Sequence, residues 1–289
     1  MIGILSSLEN WLRDLLISMI TSNLTTLFDD VNTKVGTIAA EVGQTPRGWN
    51  ASIYSMIRSL SENVIVPIAG IIITFVLCYE LITMITEKNN MHDIDTFMFF
   101  KYVFKAAVAV YLVSNTFTIT MAVFDLAQSV VSRAGGIING STSIDISATI
   151  ATMQTTMETM ELGGLIQLAV ETMIISLCLK IMSILITVIL YGRMIEICLT
   201  ISIAPIPYAT MTNREWGNIG TNYFKSLFAL GFQGFLMMIC VAIYAVLVNS
   251  MTIAADIHAA LFSIAAYTVI LCFSLLKTGS LAKSLFGAR

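Results

Sequence analysis

Charge is what this chain of 289 residues is short of. Asp, Glu, Lys and Arg together make up 11% of it, where about 25% is usual for a soluble domain. So few charges cannot cover the surface of a water-soluble enzyme, which excludes that class first. Histidine is nearly absent: there are two, His92 and His258, neither near a second plausible ligand in sequence, so metal catalysis has little to rest on. The five cysteines (Cys78, Cys178, Cys198, Cys240 and Cys272) all sit in apolar stretches with no metal-ligand spacing. They read as small buried hydrophobes, not as disulfides or ligands. No basic tail exists and the net charge is −3, which argues against electrostatic capture of duplex nucleic acid. The glycine pair Gly135-Gly136 is not followed by Gly-Lys-Ser/Thr, so a phosphate-binding loop is unsupported. The start, Met1–Leu5, has no positive n-region, and Glu9, Arg13 and Asp14 break the apolar run, so no cleavable signal peptide is expected.

What the chain does have is apolar residue, 57% of the total with a mean hydropathy of +0.85. That composition is expected of an all-α polytopic membrane protein. Five spans are expected, at about Val64–Ile85, Val103–Phe124, Leu165–Leu190, Leu227–Val248 and Ile257–Leu276. Before them, Leu8, Trp11, Leu12, Leu15, Leu16 and Met19 recur at three- and four-residue steps on an amphipathic helix of about thirty residues. That face would lie on a membrane surface, against sister subunits, or inside its own subunit. A polar stretch, Asp29–Asn63, follows, with a turn at Gly43–Pro46 and a second amphipathic segment at Trp49–Leu60. The Ser/Thr-rich segment Asp125–Gly164 is expected to be a loop outside the membrane with a helix at Ser147–Met160. In domain terms the chain divides as 1–63, 64–124, 125–164, 165–276 and a tail, 277–289.

Apolar sequence resumes at Met194–Met211, with Pro205 and Pro207 near its end. Taken as one helix, Leu165–Met211 would be about 70 Å long, against a hydrocarbon core of ~30 Å. A break is therefore expected at Gly192-Arg193, with 194–211 re-entrant or buried among neighbouring helices. If that segment does not cross, nine of the fifteen basic residues share one side. The positive-inside rule then puts the N-terminus outside and the C-terminus in the cytoplasm.

Glu80, Glu171, Lys180, Arg193 and Glu196 lie in or beside spans. A charge at mid-bilayer costs ~2.5–3.5 kcal/mol on insertion scales, so each is expected to face protein or water. Glu80 and Lys180 would both fall in the cytoplasmic half, and an ion pair between them is the preferred reading. Gly231 and Gly234, with Ser226 and Ala229, offer a small-residue face for close helix approach. The methionine cluster Met153, Met157 and Met160 is read as adaptable packing, not copper binding. No nucleophile–base pair stands out on a solvent-facing segment, so no catalytic residue, metal ligand or cofactor is assigned and the chain is not read as an enzyme.

The stretch Arg193–Gly234, RMIEICLTISIAPIPYATMTNREWGNIGTNYFKSLFALGFQG, carries a likeness, as do Gln44–Asn50 (QTPRGWN), Ile57–Gly70 (IRSLSENVIVPIAG) and Thr142–Asp145 (TSID). In these motifs the chain resembles the TrbL-like channel subunit of type IV secretion systems, in the version found on conjugative elements of Gram-positive bacteria. The resemblance implies about five spans, an outer N-terminus, a large outer loop and a cytoplasmic C-terminus. It also implies a homo-oligomer in ring form, with five subunits as the number the resemblance suggests. Partners by the same resemblance are the secretion ATPases, other secretion subunits, membrane lipid, and single-stranded DNA travelling with its relaxase. It marks Asp125–Gly164 as the substrate- and subunit-contacting region and Ala204–Trp216 as a structural signature. A permease-type subunit of a small-molecule transporter is the alternative, in which the intramembrane charges and prolines would form the binding site.

Overall fold

A computed structural model describes residues 2–87, 96–138, 146–250 and 257–288, with side chains from residue 7 and, after the second gap, from residue 150. The described residues are helical, with no strand among them: α1 (Ile2–Val42), α2 (Pro46–Trp49), α3 (Ala51–Leu60), a π turn (Ser61–Ile65), α4 (Val66–Glu87), α5 (Thr96–Ser114), α6 (Thr116–Ile138), α7 (Ile146–Thr159), α8 (Leu162–Ser202), α9 (Pro205–Thr210), α10 (Gly217–Asn249) and α11 (Ile257–Leu285). Five stretches among them are long and apolar enough to cross a membrane: 51–86, 96–114, 162–202, 217–249 and 257–285. Large apolar side chains stand exposed along them, such as Ile71 and Ile82, Leu177, Ile184 and Val188, and Ile270 and Phe273. Lipid is the medium that would cover such rows. The expected all-α polytopic class is what the structure has. The TSID motif, His92 and the loop 251–256 lie outside the described residues.

The chain forms two compact units. The first comprises residues 1–42, 133–190 and 237–277. Its core includes Ile20, Leu24, Leu27, Val31, Val35, Ile38 and Val42 of α1, spaced three and four apart as a helix face requires. The helix thus runs twelve residues beyond the amphipathic stretch expected from sequence. From Ile20 onward one face of it is buried in its own subunit, whereas Leu8, Trp11, Leu15 and Met19 are exposed and Leu12 and Leu16 are partly covered. Arg13 donates from Nη1 to the carbonyls of Glu158 (3.2 Å) and Met160 (2.7 Å). A cation there satisfies carbonyls that a helix C-terminus leaves open, and it complements the helix dipole. Met153 and Met157 of α7 are fully buried. Between α10 and α11, the Tyr244 and Thr268 hydroxyls share a hydrogen bond of 3.0 Å.

The second unit comprises residues 43–132, 191–236 and 278–289. The expected turn is present: Thr45 caps α2 by accepting from the Gly48 N–H, and Asn50 Oδ1 accepts from the N–H groups of Ser52 and Ile53 to open α3. The helix then continues into the first span, with Pro67 as the second residue of α4. A π turn precedes it, in which the Val66 N–H reaches back to the Ser61 carbonyl. Widened turns of this kind relieve a helix at sites of local conflict. The second span also differs from expectation. It begins at Thr96, and the helix that follows, α6, carries on to Ile138 through residues expected to begin a loop. At the C-terminus Gly287 takes φ +60° and the Ala288 N–H bonds the Lys283 carbonyl at 2.9 Å, a left-handed cap that closes α11.

The long apolar stretch breaks where the prolines are, not at Gly192-Arg193. α8 runs unbroken for 41 residues to Ser202. A glycine inside a helix costs about 1 kcal/mol and a proline about 3 kcal/mol, so Gly192 is tolerated and Pro205 is not. Pro205 and Pro207 take the first turn of α9, where missing N–H groups cost least. The Ala204 and Ile206 N–H groups make the shorter bonds to the carbonyls three residues back, at 3.2 Å each. The separate proline segment is therefore 205–210, short and buried, and 194–202 belongs to α8.

Candidate functional site

Within the second unit, α9 packs against α4 and α5. Small residues make this approach possible: Ala69 on α4 and Ala109 on α5 are fully buried, beside Ile73, Val113, Tyr208 and Ala209. The Tyr208 ring meets Tyr223 and Phe224 of α10 edge-on, at centroid distances of 5.9 and 6.2 Å. α10 comes close enough to α9 that a Cβ at Gly220 would lie 2.6 Å from the Pro207 carbonyl oxygen. The side-chain-free position is a geometric necessity here.

The segment between these two helices folds onto α4. Asn213 is buried, and its Oδ1 accepts from the N–H groups of Glu215 (2.8 Å) and Trp216 (2.9 Å). This turn opens α10 and aims two side chains. Trp216 stacks on both Phe75 (5.7 Å, 13°) and Tyr79 (5.8 Å, 11°), which share a face of α4 through their i, i+4 spacing. Glu215 Oε2 accepts from the Tyr79 hydroxyl at 3.0 Å. The Asn213 amide donates to Glu80 Oε2 at 3.4 Å, and Lys105 Nζ of α5 pairs with Glu80 Oε1 at 2.6 Å. Tyr102 of α5 donates to the Leu77 carbonyl at 3.0 Å. Three elements thus converge on one carboxylate, around a cavity of about 570 Å³.

Glu80 therefore pairs with Lys105, and the expected pairing with Lys180 is corrected. Lys180 is exposed and has no polar partner among the described residues. Glu171 pairs with His258 Nδ1 in the first unit, a partner that sequence distance concealed. Glu196 pairs with Lys283 at 2.9 Å, both about half exposed. Arg193 is buried, at 7% exposure, with one long hydrogen bond from Nη2 to the Leu230 carbonyl (3.4 Å) and no partner for Nε among the described residues. Gly231 lies against α6, where an added Cβ would come within 3.1 Å of the Ala127 Cβ; Gly234 is buried on the same helix. Pro205 and Pro207 are buried in α9. Of the residues singled out from sequence, the structure brings Glu80 and the proline segment to one place and leaves the others dispersed. Tyr79, Lys105, Asn213 and Trp216 are the members that sequence reasoning did not assign to a site. Among the described residues no group of acidic, histidine or cysteine side chains is arranged to hold a metal.

These features define a class: an all-helical, multi-pass membrane protein whose polar groups serve to lock helices together. The model of a family described as TrbL/VirB6 plasmid conjugal transfer like protein matches residues 31–205, more than half of the chain. The chain belongs to that family. It is a multi-pass cell-membrane subunit of a conjugal-transfer type IV secretion system and associates with other subunits of that machine. No curated protein and no solved structure matches it.

Proposed function

We propose that the chain is a homo-oligomeric scaffold or channel subunit, working beside the secretion ATPases, that helps carry single-stranded DNA with its relaxase across the cytoplasmic membrane. The family match, extending across three of the five membrane-capable stretches, is the observation that carries this reading. The exposed face of Leu8, Trp11, Leu15 and Met19 supports an assembly, since a patch of large apolar groups asks for a protein or lipid neighbour. A closed ring of head-to-tail contacts would provide one, with five subunits as the number that the family resemblance suggests. Nucleic-acid contact by Asp125–Gly164 alone has little support, because Arg133 is its one basic residue and it lacks an aromatic stacking platform. Passage through the ring, or contact through partner proteins, fits this composition better.

The test is a mating assay. Deleting the gene from its element in the donor is expected to abolish transfer, and the intact gene supplied in trans to restore it. Undiminished transfer by the deletion donor overturns the reading and favours a small-molecule permease.

The basic residues support an outer N-terminus and a cytoplasmic C-terminus. Ser250 and Ser284 are exposed at opposite ends of the last two spans. A cysteine introduced at Ser250 is expected to react with a membrane-impermeant maleimide added to intact cells, and one at Ser284 only after lysis. Labelling of Ser284→Cys from outside overturns the orientation.

A further inference from the structure

We infer that one face of α1, together with a flank of α8, borders a water-filled path at the depth of the membrane interior. In the first unit α1 lies along α8 and runs in the same direction. Arg13 sits beside the Met160 carbonyl, two residues before α8 begins. Further on, Asp30 and Lys34 share a small cleft with Leu179 and Ser183 of α8, Tyr244 of α10 and Thr268 of α11. From the first place to the second, each of the two segments covers about 25–35 Å at 1.5 Å per residue. Ser183 and Thr268 lie near the middles of the apolar stretches 162–202 and 257–285. This part of α1 is therefore at the level where those stretches are set in hydrocarbon.

What α1 turns outward at that level is polar. Val31, Val35 and Ile38 are buried, and on the other side of the helix Asp29, Asp30, Thr33 and Thr37 are exposed. α8 repeats the pattern beside it. Lys180 and Thr187 are exposed, three and four residues from Ser183, on the flank that the shared cleft assigns to α1. The exposed Leu177, Ile181, Ile184 and Val188 stand about a quarter-turn further round α8. Charged groups at this depth are costly against lipid and face protein or water instead. Ahead of α8 the same outward face of α1 carries Leu8, Trp11, Leu15 and Met19. The face is thus apolar before the spans begin and polar among them, the reverse of what lipid selects. One copy cannot enclose water on such a face, so the inference rests on the assembly proposed above, with further copies closing the path.

Membrane vesicles opened to both sides and containing the full-length protein can be treated with a cationic methanethiosulfonate, which reacts with the thiolate and so needs water at the thiol. Mass spectrometry reads the rate, and the unaltered chain gives the background from its native cysteines. Thr33→Cys and Thr37→Cys are expected to react about tenfold or more faster than Ile184→Cys, whose thiol would lie in hydrocarbon. Equally slow rates overturn the inference in favour of lipid on that face. Equally fast rates overturn it as well, because the level itself then lies outside hydrocarbon. Slow reaction at the α1 sites, with oxidative Thr33→Cys cross-links between copies, overturns it in favour of direct packing of subunits. Both α1 substitutions are at exposed positions, and either carries the test if the other variant fails to reach the membrane. The mating assay reads the secretion role separately. Fast labelling beside undiminished transfer by the deletion donor upholds the water-facing wall and removes that role; slow labelling beside abolished transfer removes the wall and keeps the role.

Discussion

Gly220→Ala is expected to lower the stability of the full-length protein by about 2 kcal/mol, read as a fall in its thermal midpoint in detergent. An added Cβ would lie 2.6 Å from the Pro207 carbonyl oxygen, 2.8 Å from Met211 Cβ and 2.9 Å from Met211 Cα. Two of these atoms are backbone, so no rotamer change relieves the conflict and α9 itself has to move. Overpacking of this kind costs ~1–3 kcal/mol and occasionally more, while alanine regains about 1 kcal/mol of helix propensity. The displaced helix carries Tyr208 at one end and leads into Asn213 at the other, so the Glu80 cluster is expected to loosen with it. Gly192→Ala is the matched control. Nothing lies within 4 Å of that Cβ position, and there the propensity gain is expected to stand alone, raising stability by up to about 1 kcal/mol. Equal midpoints for the two variants would show that the α9–α10 contact yields without cost.

The same contrast between glycine and proline explains how far the sequence could be read. Hydropathy is a local property, and it found the five membrane-capable stretches, the second of them only in part, because ~20 apolar residues in a row declare themselves without reference to neighbours. Turn chemistry is local as well, so the Gly43–Pro46 turn and the helix α7 fell within a residue or so of their expected places. Break strength was misjudged: Gly192 and Pro205 both interrupt a helix on paper, but only proline removes a donor and adds a clash. The extension of α1 to Val42 was hidden because Val31, Val35, Ile38 and Val42 are diluted by Asp, Asn, Thr and Lys, although they keep the three- and four-residue spacing.

Partner choice was the least legible layer. Glu80 and Lys105 are brought together by the packing of α4 on α5, and their places near the adjoining ends of consecutive spans contained that signal. Lys180 met the depth criterion equally well, and depth alone cannot say which helices adjoin. The role of Asn213 and Trp216 depends on how α9 folds back on α4, which no spacing rule encodes. The resemblance marked Ala204–Trp216 as a signature; the structure supplies its physical content, a stacked Trp216 and an amide bound to Glu80.

Arg193→Met is expected to do the opposite of most core substitutions and stabilise the protein, by about 1–4 kcal/mol. The guanidinium is buried at 7% exposure, its one hydrogen bond is long at 3.4 Å, and Nε has no partner among the described residues. No carboxylate among the described residues is within ion-pair distance of it. Desolvation of the charge is therefore not repaid by Coulomb attraction, whereas methionine keeps a comparable unbranched stem and removes the charge. Thermal unfolding of the detergent-solubilised full-length variant measures this directly, and a lower midpoint for Arg193→Met would overturn it. The informative comparison is with the mating assay on the same variant. If stability rises and transfer persists, the arginine is an unforced burden on the fold. If stability rises and transfer falls, the cation is held at a cost in folding energy because the working machine uses it, with the Leu230 carbonyl as its resting partner.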